Sequence, residues 1–174
     1  MTNKISALIT SIAIGLCSAS ATAEQITAKE VLIDADKQQA LIKENITIFD
    51  KNVHIVHGKR EIKADRLEAH RRPELGDNKQ LLVATGSPAV YTEVMEDGTE
   101  ISAQALEIRY DVASETLKIQ GDAKIAMADQ HIVAETISYD IAKQLITAEK
   151  DENSSTRVRT TLTPQSDDTP EKEQ

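Results

Sequence analysis

Apolar and polar residues alternate along most of this chain. Ile46-Thr47-Ile48, Val53-His54-Ile55, Ala89-Val90-Tyr91, Leu106-Glu107-Ile108-Arg109-Tyr110 and Leu117-Lys118-Ile119 each set apolar side chains two positions apart. A period of two gathers them on one face of an extended strand. Between these runs lie Asp50-Lys51-Asn52, Gly58-Lys59, Gly76-Asp77-Asn78, Gly86-Ser87-Pro88, Asp97-Gly98 and Gly121-Asp122, which read as turns separating short strands. Only Glu61 to Arg71 resembles a helix, and its repeat partners, described next, favour a strand. Many short strands at near-regular spacing predict an all-β fold, a sandwich, roll or barrel, rather than α/β.

The pattern recurs. Ile-x-Ala followed by an acid or Gln occurs at Ile33-x-Ala35-Asp36, Ile62-x-Ala64-Asp65, Ile101-x-Ala103-Gln104 and Ile132-x-Ala134-Glu135. The longest interval holds the segment His70 to Gln80, rich in Arg, Pro, Gly and Asp, which reads as an extended hairpin loop. Tyr110-Asp111-Val112-Ala113 matches Tyr139-Asp140-Ile141-Ala142, and Phe49 to Leu67 runs without a gap against Ile119 to Ile137, seventy positions on. A unit this small cannot bury its own apolar face, so the units must stack. In each, Ile and Ala point to one side, and the acid or Gln is expected in solvent at a strand end. The Tyr-Asp pair marks a strand entering a turn, where Asp bonds its own backbone. These faces serve either as ordinary core or as the wall of a slot between two sheets.

Composition narrows the class. The 174 residues are 40% hydrophobic but only 2% aromatic, with Phe49, Tyr91, Tyr110 and Tyr139 and no Trp. That apolar content is too high for a disordered chain. A formal charge of −9 argues against nucleic acid and against a polybasic membrane-surface protein. The start is a targeting segment: Lys4, an apolar stretch from Ile5 to Leu16, then small residues ending Ala21-Thr22-Ala23. This is the layout of a secretory signal peptide, residues 1–23, cleaved after Ala23. Cys17 offers a rival reading as a lipoprotein anchor, although Leu16 stands where such a site wants Gly, Ala or Ser. Cleavage at Ala23 would leave a product without cysteine, held by packing and pairing alone.

These features together resemble the OstA/LptA family, periplasmic bridge proteins of lipopolysaccharide transport. The resemblance is carried by Ile33-Asp34-Ala35-Asp36-Lys37-Gln38-Gln39-Ala40, by Asn52-Val53-His54-Ile55, by Gly86-Ser87-Pro88-Ala89, and by Tyr110-Asp111 leading to Gly121-Asp122-Ala123-Lys124-Ile125. It spans about Thr27 to Pro164. Lys51 departs from the family, which usually has Gly before Asn-Val, and Asp122 replaces Asn at the second such site. The resemblance implies a β-jellyroll of antiparallel strands built from repeated units, open at both ends, over residues 24–164. It implies head-to-tail self-association through edge strands. An inner-membrane LptC-like protein is expected at the N-terminal edge and an outer-membrane LptD-like protein at the C-terminal edge. It also implies an apolar trough for the acyl chains of lipid A. An acyl chain of about 12 carbons, at ~0.8 kcal/mol per buried CH₂, would cost roughly 9–10 kcal/mol to expose, so a carrier needs a continuous greasy lining. By similarity Val31, Ile33, Tyr91, Tyr110 and Val112 are placed on the inner face near one end of the trough. Ile46, Ile48, Ile55, Ile108, Leu117, Ile119 and Ile125 are weaker candidates from alternation. Tyr91 and Tyr110 suit a half-wet lipid slot, with an apolar body and a polar tip.

Catalytic chemistry is not visible. His54 and His57 have a ligand-like spacing, yet residues three apart on a strand face opposite sides, so no metal or cofactor is expected and both read as exposed or turn residues. His70 and His131 stand apart. No Gly-x-Ser-x-Gly elbow or phosphate-binding Gly-rich loop occurs. Glu93 and Glu96 read as solvated charge, and so do Asp167 and Asp168. Lys59-Arg60, Lys63, Arg66 and Arg71-Arg72 form the one cationic stretch, either a solvated face or a contact for lipid phosphates. Arg157 to Leu162 alternates and reads as a last strand, the exit edge; residues 165–174 read as a disordered acidic tail. The expectation is therefore a non-enzymatic periplasmic lipid carrier. The alternatives are a structural adaptor that links envelope proteins through sheet edges without binding lipid, and an exported hydrolase whose nucleophile and base are not found.

Overall fold

The computed structural model describes residues 30–76, 79–150 and 157–163. The expected leader and acidic tail lie outside them. Ten strands follow in chain order: β1 (Leu32–Asp34), β2 (Lys37–Leu41), β3 (Ile46–His57), β4 (Arg60–His70), β5 (Leu81–Val94), β6 (Glu100–Asp111), β7 (Thr116–Met127), β8 (Gln130–Asp140), β9 (Leu145–Glu149) and β10 (Arg159–Leu162). Every pairing is antiparallel, and the sheet runs β1-β3-β4-β5-β6-β7-β8-β10 without closing. Both edges are split: β1 and β2 share the outer side of β3, and β9 and β10 share that of β8. Glu61 to His70 is strand, as the repeat requires. Among the described residues no helix is long and apolar enough to cross a membrane.

Three of the expected turns are not turns. Asp50-Lys51-Asn52, Gly86-Ser87-Pro88 and Gly121-Asp122 lie inside single long strands, β3, β5 and β7. Each sits at a break in register, between Asp50 and Val53, Thr85 and Ala89, and Gln120 and Ala123. Matching breaks in β4 and β6 join them into one line of bulges across the sheet. A bulge bends its strand and increases local twist, so a line of them folds the whole sheet over. The acids and Gln of the repeat (Asp65, Gln104, Glu135) consequently stand at this fold line in mid-strand rather than at strand ends.

The fold line divides the molecule into two half-sheets. The front half holds 32–34, 53–57, 60–64, 89–94, 100–105, 123–127, 130–134 and 159–162. The back half holds 37–41, 46–50, 66–70, 81–85, 107–111, 116–120, 136–140 and 145–149. Along this spine the halves share backbone. On the opposite side the hairpin ends of one half meet those of the other, a long seam. The core fills the space between: Leu67, Leu82, Ala84, Ile108, Leu117, Ile119 and Ile137 from the back, Val53, Ile55, Ile62, Ile101, Ala103 and Ile125 from the front.

Residues of β3 at odd positions point inward, so Thr47 and Phe49 face the interior and Ile46 and Ile48 the exterior, against expectation. Phase depends on the bulge: in β3 two residues, Lys51 and Asn52, separate the paired Asp50 and Val53, so the inward phase of Val53 and Ile55 carries through to Phe49 and Thr47. Leu106 is likewise turned outward by the β6 bulge and lies 53% exposed against Gly121.

Candidate functional site

A cavity of about 640 Å³ opens at the β1/β2 end of the roll. That is within the roughly 300–1,000 Å³ of small-molecule sites. Its apolar wall is Val31, Ile33, Phe49, Ala69, Leu82 and Val112; Glu30, Gln38, Thr47, Arg71 and Gln80 line its polar side. The elements that shape it follow from local chemistry. Ile33 is set by pairing with Ile55. Val112 follows the Tyr-Asp pair, and its N–H donates to Gln80 O at 3.1 Å. Asp111 accepts the N–H groups of Ala113 and Ser114 at 3.0 and 3.2 Å, the expected turn, and also receives Arg72 at 2.8 and 2.9 Å. Those hydrogen bonds from Arg72 hold the Asp111 carboxyl below the usual carboxylate range. Arg72 also donates to Lys79 O, tying the long loop to the β6–β7 turn.

Beyond the cavity the interior is occupied by the protein's own side chains. Tyr91, Tyr110 and Tyr139 are all fully buried. Their hydroxyls enter a polar network on the seam. Tyr91 and Tyr139 donate to Glu93 Oε2 at 2.9 and 3.2 Å, and Arg60 Nε donates to Glu93 Oε1 at 3.2 Å. Arg60 Nη1 reaches the Tyr110 hydroxyl and Glu115, both at 3.4 Å, and His57 Nδ1 lies 2.8 Å from the Tyr110 hydroxyl. Burial opposes the charge on Arg60, but Tyr110, Glu115 and Glu93 outweigh it and raise its pKa. Burial, reinforced by Glu93, raises Tyr91 and pushes Tyr139 up to about 12; burial likewise raises Tyr110. The phenols are thus held neutral, Tyr91 and Tyr139 as donors and Tyr110 as an acceptor from Arg60, and among the described residues no buried side-chain N or O lacks a partner.

Of the residues expected to meet lipid, Val31, Ile33 and Val112 come together on the cavity wall. Tyr91 and Tyr110 face the same interior but stand in the seam network. Glu93, expected in solvent, is 8% exposed and lies at the centre of that network; His57, expected at the surface, is 7% exposed. The phase of the strands carried a usable signal: Glu93 follows Ala89 and Tyr91 at steps of two, His57 follows Ile55, and Arg60 precedes Ile62. A polar residue that keeps step with a buried face is itself inside. The cationic stretch is not one solvated face: Arg60 is half-buried against Glu93, Arg66 pairs with Asp50 and Glu68 at 2.7 and 3.1 Å, and Arg72 is held by Asp111. No group of three His, Cys, Asp or Glu among the described residues could hold a metal ion.

Residues 32–145 match the family described as LptA/(LptD N-terminal domain) LPS transport protein. The chain belongs to this family. Lipopolysaccharide export system protein LptA of Haemophilus influenzae is 29% identical over 165 residues, 94% of this chain and 93% of that protein. The LptA of Escherichia coli K12 is 28% identical over 166 residues, 94% of this chain and 88% of that one. Among solved structures, LptH of Pseudomonas aeruginosa, described as the LptA-homologous periplasmic component of a lipopolysaccharide transport device, superposes with a TM-score of 0.70. It covers 78% of this chain and 96% of its own at 18% identity, a shared LptA-like fold.

Proposed function

We propose that this LptA-family chain is a periplasmic, non-enzymatic carrier of lipopolysaccharide that bridges inner- and outer-membrane partners. The observation that carries the reading is the cavity at the β1/β2 end, walled by Val31, Ile33 and Val112, in a chain of this family. Lipid A acyl chains lie against that wall and on toward Tyr91 and Tyr110. Residues 1–23 direct export and are removed from the exported chain. The split edges offer unpaired backbone to neighbours by β-augmentation: β1 and β2 to an LptC-like protein, β9 and β10 to an LptD-like one, and one to the other in head-to-tail copies. The exposure of every residue in β10 suits a docking edge.

The test is a photoreactive residue placed at Val31 or Val112, with exposed Leu145 as control, in the exported protein. Lipopolysaccharide adducts are expected at the first two and not at the third. Protein adducts without lipid at any position would favour the adaptor reading instead. Val31→Pro or Val158→Pro should weaken self-association; no change in either would count against edge pairing.

A further inference from the structure

The spine and the seam hold the two half-sheets together by different means. Across the spine each of β3 to β8 continues from one half into the other. Among the described residues no backbone pairing joins them across the seam; side chains do. His57, Arg60 and Glu93 come from the front hairpin ends, and Tyr110, Glu115 and Tyr139 from the back. Contacts of this kind are directional and exchangeable. Water or a polar headgroup can take over each donor or acceptor as it is released, which offsets part of the cost of parting them. The network also has an end. Val112 lies two residues beyond Tyr110, and Ile33 pairs with Ile55, two residues before His57. The cavity therefore begins where the network stops, and the seam leads directly into it.

We infer that the seam is a side-chain latch, and that parting Arg60, His57 and Glu93 from Tyr110, Glu115 and Tyr139 opens the roll sideways to admit and release an acylated amphiphile. This rests on the lipid-carrier reading. The spine acts as the hinge, so the chains need not be threaded from an end. The latch recloses over the packed core beside the cavity once the amphiphile has left.

Lys59 and Ala113 are exposed and lie in turns on opposite sides of the seam, beside Arg60 and Glu115. Both are changed to Cys in the exported full chain, with Cys17→Ser, and joined by a short bis-methanethiosulfonate linker, which forms a reducible disulfide with each thiol and releases methanesulfinate. A control pair, Lys59→Cys with Glu96→Cys, links two turns of the front half only. Each protein is offered lipid A in detergent micelles, and bound lipid is measured by mass spectrometry. Sealing the seam is expected to lower loading at least tenfold, with recovery on reduction, while the control loads normally. Equal loading of sealed and control proteins overturns the latch and leaves the carrier reading standing. No loading in any form, reduced or sealed, overturns both. A second readout needs no linker. The three tyrosines are the only ones in the chain and there is no Trp, so loading of the unlinked protein should change tyrosine emission. Loading with unchanged emission also overturns the latch.

Discussion

The hairpin β3–β4 and its repeat β7–β8 are built on one backbone plan but carry different chemistry. Lys51 and Asn52 have φ of 66° and 49°; Gly121 and Asp122, seventy positions on, have 78° and 52°. Gly58 and Ala128 turn the two hairpins at 64° and 50°, and Asn45 and Glu115 lead into them at 56° and 50°. Ile62, Ala64 and Leu67 correspond to Ile132, Ala134 and Ile137, all packed in one core. At the seam the likeness ends. His57 and Arg60 of the first hairpin are matched by Met127 and Gln130 in the second. Backbone geometry is a demand the fold makes on every unit; the side chains that close the roll differ from unit to unit, His57 and Arg60 from the first hairpin and Tyr139 from the second.

Equivalent core positions should break the two hairpins equally. Leu67→Ala and Ile137→Ala, both at 0% exposure, are each expected to cost about 2–5 kcal/mol in urea unfolding. A large difference between them would show that the units do not share one cooperative core.

The seam should break them unequally. Arg60→Met leaves Glu93 buried without its cation and is expected to cost about 2 kcal/mol. The equivalent Gln130→Met should stay within about 0.5 kcal/mol. Similar losses at both would remove the distinction between the hairpins.

Alkaline titration addresses the same contrast. A phenol whose folded pKa is raised contributes stability that is intact below the unfolded value of about 10 and is lost as pH rises through the folded value. For Tyr139 that window ends near 12. Phenolate absorbance should therefore appear late and together with loss of structure. Glu93→Gln should bring it earlier, because Glu93 is second only to burial in raising Tyr139. Ionisation of all three phenols near 10 in the folded protein would contradict the network.

The smallest effects concern the bulges. Lys51 adopts a left-handed conformation that costs an L side chain about 1–2 kcal/mol. Lys51→Gly should recover up to about 1 kcal/mol after the added chain entropy. Gly121→Ala should go the other way, since its Cβ would also meet Leu106 at 3.1 Å. Thermal unfolding of both variants, with opposite shifts, is the check.

Strand faces were legible because burial of alternate residues leaves a period-two trace in the chain itself. The repeat, the Tyr-Asp turns and the last strand at β10 could be read for the same reason. The bulges could not be told from turns. Asp, Asn, Gly and Pro satisfy left-handed or bent backbone in either setting, and only the continuing ladder on both sides of residues 50–53 and 120–123 distinguishes them. Val31, Ile33 and Val112 are expected inside by resemblance alone. Their meeting on one wall depends on separate strands brought together by pairing.

The sequence by itself determined an all-β chain of stacked, similar units with an apolar face to hide, because periodicity and turn chemistry are local. The tertiary structure alone decided that the sheet folds along a line of bulges, and that one side of it is closed by Arg60, Glu93, His57 and three tyrosines. Register across six strands and the meeting of distant hairpin ends depend on every strand at once, and no stretch of the chain carries that information alone.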